Sequence, residues 1–151
     1  MANFIQYFRS KLIYRLFYWG VRVGMGLTFI LSGLRKLPGV KFTILPVENP
    51  VGAYFHAMYE TGFYWNFIGY FQILAGFLLF FNRFVVMSSL LIMPVTINIF
   101  LISVSLHMRG TPVITSLMVL GNLFLLMWHY EHYLPMLSKP DREHIRLSSK
   151  K

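Results

Sequence analysis

Residues 61–130 read TGFYWNFIGYFQILAGFLLFFNRFVVMSSLLIMPVTINIFLISVSLHMRGTPVITSLMVLGNLFLLMWHY, and only Arg83 and Arg109 in them carry a formal charge. The two arginines cut the stretch into uncharged runs at 61–82, 84–108 and 110–130. Each run exceeds the roughly 20 residues that cross a hydrocarbon core of about 30 Å. A fourth run, 16–34, is long enough and holds one charge, Arg22. Four transmembrane helices are therefore expected, at about 14–36, 63–81, 85–107 and 112–133. Arg83 alone separates the second and third spans, and Arg109-Gly110-Thr111-Pro112 separates the third and fourth. Junctions this short make antiparallel hairpins, with Pro112 at a helix start. The expected fold is an all-α integral membrane protein, an antiparallel four-transmembrane-helix bundle forming one domain over 1–137.

The whole chain agrees with that reading. Of its 151 residues, 56% are hydrophobic and 13% are charged, against about 25% charged in ordinary soluble domains. The net charge of +9 does not point to nucleic acid. The basic residues sit at the ends of apolar runs, where anionic headgroups and the positive-inside rule account for them. The lipid bilayer is the expected partner. Cysteine is absent, which excludes disulfides, thiolate metal sites, iron–sulfur clusters and thiol exchange.

The segment before the first span is basic (Arg9, Lys11, Arg15), but no small-residue cleavage site follows the apolar stretch. The first span is therefore expected to remain as an anchor. With both ends inside, the cytoplasmic segments hold nine lysines and arginines: Arg9, Lys11, Arg15, Arg83, Lys139, Arg142, Arg146, Lys150 and Lys151. The outer side holds four, Arg35, Lys36, Lys41 and Arg109. The count favours a multi-pass protein with both termini in the cytoplasm, N-in and C-in, and a basic cytoplasmic tail at 138–151. The outside loop, 37–62, is broken by Pro38-Gly39, Pro46 and Asn49-Pro50. Val51, Tyr54, Phe55, Met58 and Tyr59 then recur at helical spacing, which predicts a short amphipathic helix at the interface.

Few side chains in the spans can do chemistry. Gly20, Gly24, Thr28 and Ser32 fall one per turn on the first span and make a flat stripe for close helix approach, a candidate interface. Arg22 is the one charge within a span. It serves a function there or snorkels to the cytoplasmic edge. Lys36 lies near the same helical face at the opposite end. Gln72 shares a face with Gly69 and Gly76, and its amide needs a partner on another helix or on a ligand, because leaving it unpaired costs about 1–3 kcal/mol. Pro94 frees the carbonyl of Leu90 one turn before Asn98. That is either a plain kink or the wall of a pocket. Thr115, Asn122 and His129 lie seven apart. His129 and His132 are weak metal-ligand candidates without an evident third donor, or else headgroup-level histidines. Arg22, Lys36, Gln72, Asn98 and Asn122 together are the candidate lining of a pocket for a small lipophile.

No Asp or Glu falls within a span, so proton-coupled transport is not supported. Neither nucleotide loops nor hydrolase motifs occur. The histidines lie at different depths, so haem is not expected, nor is another metal. Nothing marks the chain as an enzyme on its own.

Two stretches carry a family resemblance. Arg22-Val-Gly-Met-Gly-Leu-Thr-Phe-Ile-Leu-Ser-Gly-Leu-Arg-Lys-Leu37 resembles the first helix of the DoxX-like membrane proteins, with an arginine at its start, Gly24, a Ser32-Gly33 pair and Lys36 at its end. Gln72-Ile-Leu-Ala-Gly-Phe-Leu-Leu-Phe-Phe-Asn-Arg83 is similar to the second, although the family often has Glu at the position of Gln72. The resemblance runs over about 20–130. It implies a four-helix bundle in the bacterial inner membrane. It also implies a link, in some members, to quinone-reducing sulfur oxidation or to oxidative-stress complexes. Two functions are therefore expected to compete. One is a non-catalytic subunit or assembly factor of a membrane complex, bound to a membrane-protein partner or to its own copies, with quinone as the cofactor implied. The other is a binder of a quinone or lipid within the bundle.

Overall fold

The computed structural model describes residues 11–131. These residues form five helices and no strand: α1 Leu12–Leu34, α2 Pro50–Glu60, α3 Phe63–Leu78, α4 Val85–Ser105 and α5 Thr111–Trp128. By length and composition α1, α4 and α5 can each cross a membrane. Their outer faces are apolar, with Leu16 and Leu31 on α1, Leu101 on α4 and Leu117 and Leu120 on α5 all exposed. A water-facing surface would not carry so continuous an apolar face, so the chain is a membrane protein whose helices contact lipid. The expected tail at 138–151, His132 and the last residues of the fourth expected span lie outside the described residues.

The second expected span is shorter than its apolar run. α3 holds 16 residues, about 24 Å of helix, and stops at Leu78 although the sequence stays uncharged to Asn82. Beyond it the backbone tightens into turns, with Phe80 N–H donating to Phe77, Phe81 N–H to Leu78 and Phe84 N–H to Phe81. Arg22 of α1 donates through Nε to the Leu79 carbonyl and through Nη1 to Asn82 Oδ1. A cation at a helix C-terminus satisfies orphan carbonyls and meets the negative end of the helix dipole. The end of α3 is thus set by a residue on another helix.

α2 begins where the sequence places it. Asn49 caps it, its Oδ1 accepting from Val51 N–H at 2.9 Å, and Pro50 occupies the first turn. The preceding loop packs closely on it, since a Cβ at Gly52 would lie 2.0 Å from the Pro46 carbonyl oxygen.

α1 packs chiefly on α3 and α4 on α5, with further contacts from α3 to α4 and from α1 to α5, and α2 leans on α3. The α1–α3 contact is a seam of glycines. A Cβ at Gly33 would stand 2.6 Å from the Gly69 carbonyl oxygen, and one at Gly76 2.7 Å from that of Gly26. Backbone touches backbone there, which is how helices gain dispersion contact in lipid. The core between the helices includes Met25, Phe29, Ala75, Leu79, Val85, Ile92 and Leu125. The Gly20, Gly24, Thr28 face of α1 points away from this core. Nothing approaches a Cβ built at Gly20 or Gly24 within 4 Å.

Candidate functional site

The end of the bundle beneath α2 holds a partly open cavity of about 700 Å³, within the range of roughly 300–1,000 Å³ typical of small-molecule sites. α1 contributes Ser32, the turn after it Lys36, and the loop Phe42. α2 contributes Tyr54, Phe55 and Met58, and α3 contributes Tyr64, Trp65, Ile68 and Gln72. The α4 face around Pro94 supplies Val95, Asn98, Ile99 and Ile102. Aliphatic and aromatic carbon makes up most of the wall, with Ser32, Lys36 and Gln72 polar on the α1 and α3 side and Asn98 and Ser103 polar on the α4 side.

Lys36 stands two residues beyond the last residue of α1 and is only 5% exposed. Its ammonium donates to the Ser32 carbonyl at 3.0 Å and to Ser32 Oγ at 2.9 Å. It also lies 4.7 Å from the centre of the Phe42 ring and 5.2 Å from that of Trp65. Aromatic faces stabilise a cation but do not neutralise it. No carboxylate lines the cavity. Burial alone lowers the pKa of this amine from 10.5 to about 8.

Ser32 carries the network onward, its Oγ donating to Gln72 Oε1 at 3.4 Å. Gln72 is 1% exposed and its Nε2 has no partner, and Trp65 is 2% exposed with its Nε1 likewise unpaired. Gln72 follows Trp65 by seven residues on α3, so the two face the same way. An unpaired buried N–H costs about 1–3 kcal/mol. Both residues line the cavity beside the buried ammonium. Tyr54 and Tyr64 stand at the α2 side of the cavity, where burial, and then Tyr64, push the pKa of the Tyr54 phenol up.

Of the five residues expected to share a pocket, the structure gathers Lys36, Gln72 and Asn98 on the cavity wall. Arg22 and Asn122 stand apart from it. Arg22 is 1% exposed. It turns into the protein instead of snorkelling, toward the end of α3, with Nη1 also 3.3 Å from Tyr18 Oη and its guanidinium over the Trp19 ring. Asn122 is buried between α4 and α5, where Nδ2 reaches Met93 Sδ at 3.4 Å. His129 is tied to Tyr18 Oη through Nε2 at 2.8 Å, and His132 lies outside the described residues. The described residues hold no group of three or more His, Cys, Asp or Glu that could hold a metal ion.

Trp65, Phe42 and the two tyrosines are wall residues that sequence reasoning did not single out for the site. Nothing in the sequence marks the Trp65 N–H as unpaired. The Ser32–Lys36 pair was findable, because i and i+4 meet on a helix face.

A family model, DoxX, matches residues 18–107, which takes in α1 from Tyr18 onward, α2, α3, α4 and every cavity residue named above. No curated protein and no solved structure matches the chain. The chain belongs to the DoxX family.

Proposed function

We propose that this DoxX family chain binds a small lipophile, a quinone or a lipid, inside the membrane, and that α1, α3, α4 and α5 all span the bilayer as an antiparallel bundle. The setting proposed is the bacterial inner membrane, with both ends of the chain in the cytoplasm. That orientation, supported by the lysine and arginine count, puts the cavity at the outer side under α2. The observation that carries the reading is a largely apolar cavity lined by Lys36, Gln72 and Trp65, the last two with buried, unpaired side-chain N–H groups. Apolar walls with a few convergent polar groups are what a small-molecule site requires. The test is mass spectrometry of lipid-soluble extracts from the purified protein. One compound class should be enriched over the bulk membrane, and Gln72→Leu should deplete it without lowering the melting temperature. Extracts that match the bulk membrane for both proteins would sink the reading.

A second role is compatible with the first. The chain serves as a non-catalytic subunit of a larger membrane complex or assembles with its own copies. The outward face of Gly20, Gly24 and Thr28 supports this, because α1 leaves it uncovered within the chain.

A further inference from the structure

We infer that the cavity selects a lipophile with a single carboxylate head, which Lys36 pairs with. The inference rests on the lipophile-binding reading and deepens it. A neutral quinone would use the N–H donors but would leave the ammonium unmatched. Lys36 is buried, and its polar contacts are the carbonyl and hydroxyl of Ser32, both uncharged. No acidic side chain lines the cavity. An unpaired buried charge is costly, and a ligand of opposite charge removes the cost.

The donor set also narrows the head group. An ammonium has three N–H bonds. Ser32 takes two of those on Lys36, which leaves one for a ligand. Gln72 Nε2 and Trp65 Nε1 add unpaired donors on the adjoining helix. Gln72 Oε1 accepts one hydrogen bond, from Ser32, and none of the acceptors on the wall carries a negative charge to meet the ammonium. A carboxylate only accepts, through two oxygens, and carries one negative charge. A phosphate monoester brings about −1.5 to −2, more than one lysine balances, and no arginine lines the cavity to share it. Ile68, Val95, Ile99 and Ile102 make an apolar stretch of wall that suits the body of the molecule, with Asn98 the neutral polar group among them.

The experiment titrates the detergent-purified full chain with cis-parinaric acid, a fluorescent single-chain carboxylate, and with its methyl ester. Wild type should bind the acid at least about tenfold more tightly than the ester, the ratio expected when a charge-assisted hydrogen bond is lost. Lys36→Gln and Lys36→Met should bring the acid down to the affinity of the ester and leave the ester unchanged. Lys36→Arg should keep the preference. Melting temperatures and the unchanged ester affinity identify a folded variant. Equal affinity for acid and ester in wild type, with both lost when Ile68→Trp fills the cavity, overturns the carboxylate assignment and leaves the lipophile reading standing. Binding of both probes that survives Ile68→Trp, or no binding of either, overturns both.

Discussion

A lysine amine with no counter-charge acts as a pH gauge for whatever binds beside it. Lys36 can attract a carboxylate only while protonated, and burial sets its pKa at about 8. Binding of the acid probe should therefore hold level through neutral pH. Above about pH 8 it should weaken by up to about tenfold per pH unit, until the pKa of the ligand-bound amine is passed. The other titratable groups on the wall are the phenols of Tyr54 and Tyr64, and Tyr54 is shifted further upward. Fluorescence titrations from pH 6 to 9.5 check this, with a flat profile expected for Lys36→Met and for the ester. A flat profile in wild type would mean that the amine takes no part in binding. The sequence marks Lys36 and Gln72 as candidates because a polar group beside an apolar run is visible in one dimension. It does not show that Ser32, which holds Lys36, also reaches Gln72, 40 positions from Ser32. Arg22 stands out in the sequence for the same reason as Lys36. Its use is hidden, because its partners Leu79 and Asn82 lie 57 and 60 positions away.

Among the elements, the α1–α3 seam sets the shape of the cavity wall, because Lys36 and Ser32 are held against Gln72 only while the two backbones touch. Gly33→Ala should force its Cβ into the Gly69 carbonyl, 2.6 Å away, at a cost of about 1–3 kcal/mol. Gly24→Ala meets nothing within 4 Å and should be neutral or slightly stabilising, since alanine favours helix by up to about 1 kcal/mol over glycine. Melting temperatures of the two variants in the same detergent make the comparison, and equal values would show that the seam is not under tension. Both glycines stand in one span, yet only Gly24 belongs to the stripe that sequence spacing picks out. One-turn spacing predicts a smooth face but does not say which neighbour, if any, meets it. α2 was legible almost to the residue, because its start depends on Asn49 and Pro50, its own neighbours. The end of α3 was not, because its cap comes from α1.

In the molecule as a whole, two helix pairs close around a buried core and leave one face of α1 bare. If that face is an assembly surface, Gly24→Leu should shift the complex to smaller species while the monomer keeps its melting temperature. Native mass spectrometry of protein extracted under gentle conditions reads both states, and an unchanged distribution would count against assembly through α1. The same architecture has a consequence for the surrounding lipid. Arg22 meets the end of α3 about ten residues into α1, so the first part of α1 runs roughly 15 Å past that end. There it packs on α5, with Phe17 against Phe124 and Tyr18 stacked on Trp128. With the spans as proposed, the perimeter of the protein has two heights. Acyl chains beside the α3–α4 turn must shorten, tilt or thin to match the shorter edge, while those beside α1 and α5 need not. Such an uneven rim favours thin bilayers and short or disordered chains on one side, so the hydrogen bonds that stop α3 also influence which lipids gather around the protein.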